Sequence, residues 1–63
     1  MEEFEFKFTA HKVNTKKIIE IVVRLEDDGG PWADLCDEAY ERACGIAAKR
    51  LNCRESQVEV VSE

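Results

Sequence analysis

Residues 4–10 of the chain read FEFKFTA, and this stretch decides the fold. Phe4, Phe6 and Phe8 alternate with polar residues, which is the pattern of a β-strand with one buried face. The same period of two continues in residues 17–26, where a second strand is expected. Its inner face would carry Ile19, Ile21, Val23 and Leu25, and its outer face Ile18, Glu20, Val22 and Arg24. A short turn over residues 12–16 would join the two strands into an antiparallel hairpin.

A single long helix is expected after this hairpin. Apolar residues recur at helical spacing from Trp32 to Leu51, which is typical of a helix with one buried face. Pro31 suits the first helical position, where its missing N–H is not needed. Asn52 suits the left-handed residue that ends a helix.

Residues 57–62 alternate again and complete the fold as a third strand. The sequence therefore predicts one α+β domain spanning residues 1–63, with the element order ββαβ. The most economical arrangement is a three-stranded antiparallel sheet in the order 2-1-3, with the helix packed on one face.

The size of the chain restricts its function. A domain of 63 residues buries only about 60% of its unfolded surface, and a ligand cavity of roughly 300 Å³ or more would consume its core. We therefore expect a non-enzymatic module that acts through its surface without a cofactor. No apolar stretch reaches ~18 residues and no signal-peptide pattern is present, so the expected location is the cytoplasm, with no membrane partner.

The three cysteines are expected to be small apolar side chains at or near the core. Cys36 and Cys44 would lie on one helix with about 12 Å of rise between them, which is beyond the reach of a disulfide. Together with Cys53 they match no zinc-binding spacing. A reactive or metal-binding role is the alternative.

An acidic segment is the main clue to function. Seven of the 14 acidic residues lie at positions 26–41, where no basic residue occurs, so the rest of the chain has seven acids and nine bases. The segment is expected to dock on a basic protein surface that binds nucleic acid, by mimicking the phosphate backbone. Its acidic residues are Glu26, Asp27, Asp28, Asp34, Asp37, Glu38 and Glu41.

A structural explanation competes with this interpretation. The four acids from Asp34 to Glu41 occupy the first half of the helix, where carboxylates offset the positive end of the macrodipole. Glu38 is also placed to pair with Arg42 at the i,i+4 spacing. The acids at positions 26–28 precede the helix and have neither explanation. A calcium loop is not indicated, because the EF-hand spacing is absent.

Other features favour weaker alternatives. Basic residues near the hairpin loop and the helix end would form a basic pole, but base stacking needs exposed aromatics, and the helix is expected to cover the three Phe. Direct binding of nucleic acid is therefore not expected. Ile18, Val22 and Val61 on the open sheet face, with strand two as an edge, would suit a small assembly module that forms a homodimer. Trp32 and Tyr40 are expected to pack in the core, with a partner-facing aromatic anchor as the alternative for Tyr40. His11 is expected to lie at the surface.

The acidic loop and helix on a minimal ββαβ domain resemble the small acidic anti-defence proteins of phages and mobile elements, the anti-CRISPR proteins among them. The resemblance is one of size, layout and charge. It implies a stoichiometric inhibitor that occupies a basic, nucleic-acid-handling surface of a host effector complex, such as a Cas protein. It assigns no individual residue a role.

Overall fold

The computed structural model describes residues 2–27 and 29–63. Its strands are β1 (Glu3–Lys12), β2 (Ile19–Glu26) and β3 (Val58–Ser62). Its helix, α1 (Trp32–Leu51), covers the residues that have helical spacing in the sequence. One short 3-10 turn, Glu55–Gln57, precedes β3 and was not foreseen from the sequence.

The strands form one antiparallel sheet in the order β2-β1-β3, which confirms the predicted α+β architecture. The Phe-rich strand β1 is central. It pairs with β2 along nearly its whole length, but β3 pairs only with its second half, from Phe8 to Lys12. The ladder continues past β2, because the Asp27 N–H donates to the Glu2 carbonyl at 2.7 Å.

The core lies between one face of the sheet and α1. All three strands contribute apolar side chains to it, and the helix contributes alanines that are completely buried. Small side chains at the contact let the helix backbone approach the sheet closely. The buried cluster consists of Phe8, Ala10, Ile21, Val23, Leu25, Val60, Ala39, Ala43 and Ala47.

Trp32 and Tyr40 were expected to pack in the core, and this prediction is wrong, since they remain 55% and 47% exposed. Each packs at the margin of the sheet face that carries Phe4, Phe6 and Phe8. The Trp32 ring lies edge-on to Phe4, with centroids 5.0 Å apart, and also contacts Phe6. The Tyr40 ring meets Phe8 at 6.3 Å. The alanines occupy the closest approach, so the larger rings fit only at its margin.

The two ends of α1 differ. Pro31 is the N-cap and not the first helical residue, because its backbone is extended (ψ 138°) while its carbonyl accepts the first helical hydrogen bonds. Among the described residues, no side-chain hydrogen bond caps this end. Asn52 ends the helix with φ 54°, as predicted, and the Cys53 N–H donates to the Ala48 carbonyl at 3.0 Å in a Schellman arrangement.

The three cysteines are free and half-buried. Cys44 packs against the core cluster. Within the described ranges, 2–27 and 29–63, no helix has the length and apolar character needed to cross a bilayer.

Candidate functional site

Four of the acidic residues form a single row on α1, which we call the acidic stripe. They occupy positions i, i+3, i+4 and i+7, which lie on one side of a helix with about 3.6 residues per turn. The buried alanines lie on nearly the opposite side, so every member of the row faces solvent. The stripe consists of Asp34, Asp37, Glu38 and Glu41.

Asp27 joins the acidic stripe from the loop that precedes the helix. Together they line an open groove of about 600 Å³, with Pro31 at its edge. Asp27 is half-buried, and its Oδ1 accepts the N–H of Gly29 at 2.9 Å, where Gly29 takes a left-handed φ of 86°. Asp27 therefore shapes the loop as well as adding charge, a local role that sequence reasoning missed.

Glu26 lies apart from this groove. Within β2 it shares the alternation of Val22 and Arg24, so its side chain is on the open face of the sheet, directly across from Glu3. Asp28 lies outside the described residues. The acidic run of the sequence is thus not one surface: the structure brings five of its members together and sends Glu26 to the other side of the sheet.

The acidic stripe is barely neutralised by the rest of the chain. The predicted pair between Glu38 and Arg42 is confirmed at 3.5 Å, but both side chains are more than half exposed, and such pairs are worth little. Asp34, Asp37 and Glu41 have no ion pair with any residue of the described ranges. The groove therefore carries a concentrated negative potential.

The helix macrodipole explains only part of this row. Asp34 is the one stripe residue in the first turn, next to an uncapped helix start. The dipole effect falls off within that turn, so Asp37, Glu38 and Glu41 gain little from it.

Six of the nine basic residues lie near the hairpin loop and the end of α1, as the sequence predicts: Lys12, Lys16, Lys17, Lys49, Arg50 and Arg54. The Arg50 guanidinium donates to the Glu20 carbonyl at 3.1 Å, and the Val13 N–H donates to the Gln57 carbonyl at 2.8 Å. These contacts bring the helix end, the hairpin loop and the 3-10 turn together. These basic residues lie near the end of α1, whereas the acidic stripe begins near its start, in a molecule 38 Å long and about 17 Å wide.

The groove offers no recognisable catalytic arrangement. Within the part of the chain that the structure describes, no three His, Cys, Asp or Glu side chains gather as metal ligands. His11 sits on the open sheet face, where its Nε2 contacts Glu59 Oε2 at 2.9 Å across the β1–β3 ladder. This cross-strand pair supports the sheet and lies away from the acidic stripe.

Tyr40 lies beside Glu41 on the flank of the stripe. Its pKa is raised above the ordinary 10.0, chiefly by repulsion from the Cys44 thiolate one turn further on, then by a hydrogen bond with Cys44 and by partial burial. Tyr40 is therefore protonated at neutral pH. It presents a half-exposed aromatic ring with a hydroxyl, a combination that is common in protein interfaces.

No family model, curated protein or solved structure matches this chain.

Proposed function

We propose that this protein is a non-enzymatic binding module that docks the acidic stripe on a basic protein surface of the kind that binds nucleic acid. The observation that carries the proposal is the row of exposed carboxylates in an open groove, of which only Glu38 has an ion pair with another described residue. Self-repulsion among such charges costs stability. Binding to a basic partner would relieve this repulsion and so contribute favourably to the binding free energy.

The spacing of the row suits mimicry of a phosphate backbone. Its four charges lie within eight residues of helix, where the seven residue steps rise about 10 Å, an average of about 3.5 Å of axis between neighbouring charges. One strand of B-DNA carries a charge per roughly 3.4 Å of axis. A groove lined with Lys and Arg recognises phosphates largely by their charge and spacing, so it would accept this row as well.

The separation of charge along the molecule supports an oriented encounter. The acidic stripe lies toward one end and the basic cluster toward the other, so an approaching basic surface attracts the stripe and repels the far end. Such complementarity accelerates association and fixes orientation more than it raises affinity. The narrower form of the proposal, an anti-CRISPR-like inhibitor of a Cas protein, has its support in the resemblance of size, layout and charge.

Charge reversal on the helix tests the proposal. The variant Asp34→Lys/Asp37→Lys/Glu38→Lys should lose a partner that the wild-type protein retains from host lysate, and duplex DNA should displace that partner from the wild type. Reversal also places Lys near the helix start, so the fold of the variant is verified by circular dichroism.

A matched control separates local charge from net charge. Glu2→Lys/Glu3→Lys/Glu63→Lys makes the same change in net charge at exposed positions outside the groove, and it should retain the partner. Equal loss in both variants would show a net-charge effect only. Full retention by the helix variant, or no displacement by DNA, would overturn the proposal.

A further inference from the structure

The free edge of β2 displays a defined set of backbone groups. The Asp27 N–H donates toward β1, and the Glu20 carbonyl accepts from Arg50 on the opposite side. Because successive residues of a strand point their hydrogen-bonding groups to alternate edges, the even-numbered residues of β2 direct theirs away from β1. Glu20, Val22, Arg24 and Glu26 thus form an edge that pairs with no other strand among the described residues, and such an edge can pair with a strand of another molecule.

The sequence along this edge is self-complementary. If β2 lies antiparallel to a copy of itself with Val22 at the two-fold axis, then Glu20 faces Arg24 of the second copy and Arg24 faces Glu20. On the core side, Ile21 then faces Val23, and Ile19 faces Leu25. Every position from 19 to 25 thus meets a residue of matching character, which is what an isologous interface requires.

The neighbouring registers are worse. Shifting the axis to residue 23 places Glu20 opposite Glu26 twice, and like charges directly opposite each other are unfavourable. Shifting it to residue 21 leaves Glu20 opposite Val22 and forms no ion pair. Of these three registers, only the Val22-centred one forms two opposite-charge pairs around an apolar centre, where Val22 is already 48% exposed.

From this edge we infer that the protein forms a two-fold dimer by pairing β2 with β2 about Val22, giving one continuous six-stranded sheet. The interface is separate from the acidic stripe, which lies on the solvent side of α1. In the monomer Arg50 competes with strand pairing at this edge, because its guanidinium donates a hydrogen bond to the Glu20 carbonyl. In the dimer that carbonyl accepts the N–H of Arg24 from the second copy.

Charge exchange between two variants tests the register. Glu20→Arg alone and Arg24→Glu alone each place like charges opposite each other twice, so each should dimerise on the order of tenfold or more weakly than wild type. An equimolar mixture should restore a dimer containing one copy of each, detected by sedimentation equilibrium and native mass spectrometry. If wild type is monomeric at every concentration, or if the mixture does not associate, the inference is overturned.

Cross-linking tests the position of the axis. In a chain whose three native cysteines are replaced by Ala, Val22→Cys should form an interchain disulfide, since hydrogen-bonded partners lie about 5.5 Å apart and disulfides span roughly 4.4–6.8 Å. Glu20→Cys is the control, because its two copies would be about 13 Å apart along the strands. Cross-linking of the control, or none at residue 22, contradicts this register.

Removal of the hydrogen bond from Arg50 to the Glu20 carbonyl tests the role of Arg50. Arg50→Ala frees both Glu20 carbonyls and should tighten the dimer roughly tenfold. An unchanged or weaker dimer in sedimentation equilibrium would show that Arg50 does not compete with pairing.

Discussion

The outer side of α1 and the free edge of β2 are both exposed, but they differ in the arrangement of their charges. The acidic stripe repeats one sign, so a second copy of the chain cannot complement it. The edge of β2 places Glu20 and Arg24 symmetrically about Val22, so a second copy is its natural complement. A surface of uniform charge calls for a different partner, whereas a surface with a two-fold pattern of charge can bind itself.

The largest effect is expected from a core substitution that destabilises the fold and, with it, both surfaces. Ile21 is almost fully buried, while its neighbour Val22 is about half exposed. Ile21→Ala should lower the free energy of unfolding by about 2–5 kcal/mol, and Val22→Ala by at most about 0.5 kcal/mol. Urea denaturation at concentrations where the protein is monomeric measures both. Similar losses would mean that β2 does not present these faces as described.

A smaller effect should separate the dimer from the sheet face that surrounds it. Val22→Glu places two carboxylates together at the proposed axis, where like-charge contact costs several kcal/mol. The dimer should therefore dissociate. Val61→Glu makes the same change on the same face, but on β3, where Val61 is 58% exposed, and its dimer should persist in sedimentation equilibrium. Loss of both dimers would indicate association through the open face, and loss of neither would exclude both surfaces.

The smallest effect concerns the one ion pair that the stripe forms among the described residues, between Glu38 and Arg42. A double-mutant cycle with Glu38→Gln and Arg42→Gln should give a coupling of about 0.3–0.5 kcal/mol, because the pair is exposed and 3.5 Å apart. Thermal unfolding of the four proteins provides the measurement. A coupling several times larger would mean that the stripe is neutralised by its own helix, which would weaken the case for an external basic partner.

Most of the fold could be predicted because each element carries a strong periodic signal. Period two in β1 and β2, and helical spacing from Trp32 to Leu51, indicate most of the buried side chains, but spacing alone did not show that Trp32 and Tyr40 stay half exposed. Strand order followed from economy of connection. The N-cap position of Pro31 could not be read in the same way, since proline's fixed φ suits both the N-cap seen here and the first helical residue.

The candidate site was less predictable, because it depends on which face each acid joins. The alternation of β2 already indicated that Glu26 shares the face of Val22, but its place in an unbroken acidic run obscured this. The role of Asp27 depends on Gly29 turning back to donate its N–H, which sequence spacing alone does not reveal. The symmetry of β2 acquires meaning only once β2 is known to be an edge strand.

The central claim is that the two surfaces act independently, and one binding series tests it most directly. The affinity of an isolated basic partner is measured by titration calorimetry for wild type, for Asp34→Lys/Asp37→Lys/Glu38→Lys and for Val22→Glu. We expect the helix variant to lose binding and Val22→Glu to bind as wild type does. Wild-type affinity in the helix variant, or loss of binding in Val22→Glu, would contradict it.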